Sequence, residues 1–247
     1  MHSRIHYWSH LLRSRMLLLL PSCCALCGAA AADAICNDCM QQYGSRHQQR
    51  CPQCASLLSN NESSTQVCGV CMKSTPAFDA TVVAVNYAAP LDQLVLALKF
   101  GSRLELAPLF SAMLRDAMLE QSHCALPTLL TAVPLSRERL AERGFNQALE
   151  IAKPLSRALG IALFPAAACR LRDTQAQATL RPQERSKNIR QAFSVPAHAI
   201  DRIQGQHIGI VDDVITTGDT LNELASTLKR FGAARVTNLV FARTPAH

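Results

Sequence analysis

The sequence is short of several things at once, and each shortage removes a class of protein. Aromatic residues are 5% of the chain, with one Trp and three Tyr, so few side chains are available to stack on the bases of a nucleic-acid single strand. Charged residues are 17% against 49% hydrophobic, which excludes a disordered polyelectrolyte and a charge-laced coiled coil. Ten glycines and twelve prolines, widely scattered, exclude a collagen-like or low-complexity fibre. Long apolar runs are missing. The best, Met16 to Leu20 behind Arg13 and Arg15, is shorter than the about 7–15 residues of a secretory core or the about 20 of a membrane span. The eight histidines show no metal-binding spacing. After Cys71 cysteine nearly vanishes, leaving Cys124 and Cys169, which read as ordinary buried thiols.

The other nine cysteines of the 247-residue chain crowd between Cys23 and Cys71. Eight form C-x-x-C pairs: Cys24/Cys27, Cys36/Cys39, Cys51/Cys54 and Cys68/Cys71. Two thiolates on one tight turn hold one side of a tetrahedral zinc, and a second pair completes the site. Four pairs therefore predict two structural zinc ions. Spacing favours sequential sites, 24/27 with 36/39 and 51/54 with 68/71, over interleaved ones. Thiolate metal sites belong to a reducing compartment, so the chain is expected in the cytoplasm.

Composition changes near residue 76. Residues 21–76 are rich in Cys, Ser, Asn and Gln with little aliphatic periodicity, too little to bury a core of their own. Bound zinc supplies folding energy to such segments. Three parts follow: a tail, 1–20; a zinc module, 21–76; and a larger domain, 77–247. In the last, short β-rich runs (Thr81–Val85, Leu129–Val133, Ile208–Val211, Val236–Phe241, and a weaker Ala167–Leu171) alternate with helical stretches (Leu91–Phe100, Leu104–Gln121, Arg139–Leu159, Asp219–Phe231). That alternation predicts an α/β fold, a parallel sheet flanked by helices.

The most informative segment is Ile208 to Thr220. An apolar strand runs into Asp212 and Asp213, then Thr216, Thr217, Gly218, Asp219 and Thr220 open a helix. Backbone N–H groups and hydroxyls of residues 216–220 at a helix N-terminus make a cradle for a phosphate dianion. Paired carboxylates at the strand end accept hydrogen bonds from two vicinal hydroxyls, and ligands of open α/β sheets bind at that edge. The segment lacks the glycine and lysine patterns of triphosphate and dinucleotide binders.

This segment resembles the phosphoribosyl pyrophosphate (PRPP) motif of type I phosphoribosyltransferases. The whole chain resembles the ComF family (competence protein F, or GntX-like proteins). The further matches are Leu98-Lys99-Phe100-Gly101; Val133-Pro134-Leu135-Ser136 with Arg139; Arg143-Gly144-Phe145-Asn146-Gln147; Arg172 through Gln177 to Arg185, Asn188 and Phe193; and the cysteine pairs as a double zinc ribbon. The resemblance implies a type I phosphoribosyltransferase fold that binds PRPP with magnesium. It places Asp212 and Asp213 on the ribose, the 216–220 loop on the 5-phosphate, and Pro134, Leu135, Ser136 and Arg137 with Lys99 on the diphosphate. Arg139, Arg143, Asn146, Gln147 and Arg185 become cleft candidates.

Residues 170–190 carry six basic and two acidic side chains and correspond, by resemblance, to a loop that closes over the reaction centre. The resemblance also implies a link to DNA uptake and utilisation. Two activities follow as expectations: transfer of phosphoribose to an acceptor the sequence does not identify, or a non-catalytic PRPP sensor or single-stranded DNA-binding accessory of competence with DNA or a DNA-processing protein as partner.

Overall fold

The computed structural model describes residues 22–32, 35–44, 48–58, 67–121, 125–171 and 191–245. The tail, Cys124, and the basic stretch from Arg172 to Arg190 with Arg185 lie outside the described residues. By compactness the chain divides into two units, Met1–Gly44 and Ser45–His247.

The first unit pairs β1 (Ser22–Cys23) antiparallel to β2 (Ala30–Ala31), followed by helix α1 (Asn37–Tyr43). Gly28, just after Cys27, has φ +75°, a conformation that glycine adopts without steric cost. Cys36 caps α1, its sulfur accepting from the Cys39 amide at 3.5 Å.

In the second unit the chain runs through α2 (Gly69–Lys73), β3 (Ala80–Asn86), α3 (Leu91–Phe100) and α4 (Ala107–Glu120). Then come β4 (Leu129–Ala132), α5 (Arg137–Arg143), α6 (Gln147–Leu159), β5 (Ala162–Leu163) and β6 (Cys169–Arg170). It ends with β7 (Phe193–Ser194), α7 (Ile200–Ile203), β8 (His207–Ile215), α8 (Asp219–Arg230) and β9 (Arg235–Arg243). Five strands form one sheet in the order β3-β9-β8-β4-β5, every neighbouring pair parallel. The strand-helix alternation thus gives the parallel sheet it predicts.

Side chains alternate across each strand, and the core divides accordingly. Ile208, Ile210, Val236 and Val240 share a cluster with Leu221, Leu224 and Leu228 of α8. On the other face Phe241 stacks on Phe110 of α4, ring centroids 3.6 Å apart. Gly209 points to that second face: a Cβ there would lie 2.6 Å from Leu130 Cδ2 and 2.9 Å from Pro127 Cγ.

Several elements differ from the sequence reading. The helix expected over 139–159 is two, α5 and α6. Gly144 ends the first with φ +75°, and the Asn146 side chain caps the second by accepting from the amides of Ala148 and Leu149. The helix expected from Leu104 opens as a 3-10 turn, Leu104–Leu106, before α4. The weak strand at 167–171 shrinks to β6, paired antiparallel with β7 outside the main sheet. There Cys169 is exposed rather than buried. The strand expected to end at Val211 runs on to Ile215, so both aspartates lie inside it, Asp212 opposite Val240 of β9.

Candidate functional site

The carboxyl ends of β4, β8 and β9 open into a cleft of about 560 Å3. Of the residues singled out in the sequence, Lys99, Leu135, Arg139, Arg143, Gln147, Asp212, Asp213, Thr216, Gly218, Asp219 and Thr220 line it together. They come from α3, the β4–α5 loop, α5, the start of α6, β8 and the loop into α8, so the sheet edge gathers side chains spread from Lys99 to Thr220.

Others serve the frame. Ser136 is buried and caps α5, its Oγ accepting from the Arg139 amide. Asn146 donates through Nδ2 to the Val133 carbonyl at 3.0 Å while capping α6. That bond ties the end of the β4 strand to the helix that follows. Thr217 Oγ1 donates to Asp219 Oδ2 at 2.8 Å across the start of α8. Pro134, Arg137 and Thr217 do not line the cleft, and Arg137 is exposed on the first turn of α5.

The electrostatics centre on β8. Asp213 is 3% exposed, and its Oδ2 sits 3.1 Å from Lys99 Nζ. Asp212 Oδ1 accepts from the Asp213 amide at 2.9 Å. Burial, and next the charge of Asp213, push Asp212 up to about 7; Lys99 and Arg170 oppose the rise. Two adjacent carboxylates faced by one close ammonium form a hard-oxygen donor set that is short of positive charge, which suits a magnesium-bound ligand.

Arg139, Arg143 and Arg170 bring three guanidiniums to the same cleft. Arg143 lies over the Phe100 ring at 5.2 Å and Arg170 over Phe193 at 5.5 Å, and such stacking limits how each side chain swings. At the loop, Gly218 has φ +89°, and a Cβ there would lie 3.5 Å from Ile215 Cδ1. The turn therefore rests on the last residue of the strand.

Sequence reasoning did not select Tyr87, Leu96, Phe100, Glu142, Arg170 or Thr244, all of which line the cleft. Phe100 and Arg170 fall within segments it did mark, and their basic or aromatic character was the available signal. Nothing local marks Tyr87 or Thr244. They reach the cleft because the Tyr87 amide donates to the Arg243 carbonyl and the Thr244 amide to the Ile215 carbonyl.

The cysteines gather in two sets, Cys24, Cys27, Cys36 and Cys39, and Cys51, Cys54, Cys68 and Cys71, with the sulfurs of each set within 4.8 Å of one another. Each set matches the four-sulfur chemistry of structural zinc. Purified protein is expected to hold two zinc ions per chain by elemental analysis; disulfides in their place would refute these centres.

Fold and sites together define a phosphoribosyltransferase-fold protein carrying a double zinc ribbon. The double zinc ribbon domain family matches residues 16–76, and the phosphoribosyl transferase domain family matches residues 146–247. The DNA utilization protein YhgH of Escherichia coli K12 is 35% identical over 237 residues, 92% of this chain and all of that one. Competence protein F of Haemophilus influenzae is 33% identical over 211 residues, 83% of this chain and 89% of that one. The chain belongs to the ComF family. Among solved structures, glutamine PRPP amidotransferase from B. subtilis, complexed with ADP and GMP, aligns with 55% of this chain and 26% of its own. It does so at 19% identity and TM-score 0.37, too slight a likeness to add to the sequence relationship. No helix among the described residues is long and apolar enough to cross a membrane.

Proposed function

We propose that the cleft binds PRPP with magnesium and that the protein transfers its phosphoribosyl group to an acceptor. The observation that carries this reading is the juxtaposition of Asp212 and Asp213 with the Thr216–Thr220 loop on one strand-loop-helix unit. The carboxylates accept from the ribose hydroxyls, and the amides of the loop at the start of α8 hold the 5-phosphate. Arg139, with the β4–α5 loop, faces the diphosphate. Magnesium, held with the ligand by Asp212 and Asp213, would neutralise the diphosphate. As the bond at C1 breaks, Asp212 and Asp213 stabilise the ribose carbon's growing positive charge, and the cleft arginines stabilise the departing pyrophosphate. Release of pyrophosphate from PRPP across a panel of bases tests turnover.

Proton linkage gives a sharper check. Asp212 titrates near 7 rather than its ordinary 3.8. Its ionisation therefore costs stability as pH rises from about 4 to about 7, and a ligand that needs the carboxylate must expel the proton. Calorimetry at pH 6.5 in buffers of different ionisation enthalpy is expected to show more proton release on PRPP–magnesium binding by the native protein than by Asp212→Asn. Affinity should tighten as pH rises through about 7.

A second reading follows from the relatives' names, DNA utilization and competence, and from the net charge of +3 carried by residues 1–76. In it the ribbons bind single-stranded DNA and the cleft senses PRPP. Salt-sensitive DNA binding without pyrophosphate release would favour it.

A further inference from the structure

The second four-cysteine loop is bonded into the sheet. The Thr81 amide donates to the Pro52 carbonyl at 3.2 Å, and Gln53 Nε2 donates to the Phe78 carbonyl at 3.4 Å. Ala55, 1% exposed, packs in the same cluster as Phe78 and Ile215. These are the two side chains nearest the Cβ position of Gly218 in the phosphate loop.

Two arginines lie at this junction. Arg50 donates to the Ala55 carbonyl at 3.0 Å and to Asn86 Oδ1 at the end of β3. Arg243, the last residue of β9 and 8% exposed, donates through Nη2 to Ser56 Oγ at 2.8 Å; the same hydroxyl lies 3.2 Å from Cys54 Sγ, to which it can donate once the sulfur is a thiolate. Arg243 Nη1 is buried and has no partner among the described residues. Arg243 is buried and Arg50 half-buried, both donate into the Ala55–Ser56 turn, and neither is paired with a carboxylate among the described residues, so their charge is left for another anion to balance. Four thiolates around a divalent metal carry a net charge of about −2, which two arginines balance. No Lys or Arg occurs between Ser22 and Gly44, the segment that holds the first set.

We infer that Arg50 and Arg243 are the counter-charges of a tetrathiolate metal centre at Cys51, Cys54, Cys68 and Cys71. Occupancy of that centre then holds the ends of β3 and β9 and, through Ile215, the base of the phosphate loop. Arg243 is a positioning residue for the loop, and the two metal sites are unequal in lability.

The test is zinc release from the full zinc-loaded chain to a chromogenic chelator, with hydrogen exchange followed at residues 213–218 and 241–244. Two phases are expected, and Cys24→Ser should abolish only the fast one. Arg243→Met should speed the slow phase roughly 10- to 100-fold, the usual effect of losing an outer-shell partner, and raise exchange at both segments. Arg243→Lys, which keeps the charge, should recover part of the slow phase. Arg50→Met, outside the main sheet, should speed release in the same direction, which keeps the test open if Arg243→Met misfolds. An unchanged slow phase in either folded Met variant overturns the inference. So does unaltered exchange at 213–218 after the slow zinc has left.

Discussion

Asp213→Asn is expected to weaken PRPP–magnesium binding roughly 10- to 100-fold, the range for losing a charge-assisted hydrogen bond, and to leave the fold standing. The substitution keeps size and shape while removing the charge that faces Lys99 at 3.1 Å. Lys99 is 21% exposed, so its ammonium can turn to water once the partner is gone, and the free protein loses little. The bound ligand has no such outlet. Its ribose hydroxyls and metal would face one carboxylate instead of two, and that one, Asp212, would meet Lys99 without competition. Titration calorimetry, paired with a thermal melt, separates the outcomes. Unchanged affinity removes Asp213 from the ribose site, and a collapsed melting point makes the pair structural.

The largest stability loss should come from Phe241→Ala, about 3–5 kcal/mol for truncating a fully buried aromatic. Phe241 is 0% exposed and lies parallel to Phe110, interplanar angle 4°, so the cavity opens between β9 and α4 and the stacking contact is lost as well. β9 pairs with both β3 and β8, which leaves the surroundings little freedom to collapse into the space. Denaturant unfolding with zinc present throughout measures the effect, and a loss under about 1.5 kcal/mol would mean that the site relaxes. Phe241→Leu, which refills most of the volume, should recover much of the difference.

These two residues show what the sequence does and does not display. The apolar run at 208–211 and the Thr-rich turn opening α8 are local signals, and they locate the strand and the loop. The extension of β8 through Asp212 and Asp213 is not local. Adjacent aspartates read as the place where the strand stops, and pairing with β9 as far as Arg243 carries it on to Ile215. The division of 139–159 into two helices was half visible in Gly144, whereas the Asn146 bond to Val133 depends on where β4 ends. The cysteine spacing carried both four-sulfur sets. It could not carry the attachment of the second set to the sheet, because Arg50 and Asn86, or Ser56 and Arg243, are brought together only by the fold. Tyr87, Glu142 and Thr244 line the cleft for the same reason.

The central claim, that the end of β8 is a phosphoribosyl site, meets its most direct test in a calorimetric titration of the zinc-loaded protein with PRPP at fixed magnesium. Saturable binding near one ligand per chain is expected, weakened roughly 10- to 100-fold in Asp213→Asn. Binding is also expected to be lost when magnesium is withdrawn. Equal heats for the native protein and the variant, or no saturable binding in a folded, zinc-loaded chain, would contradict that claim.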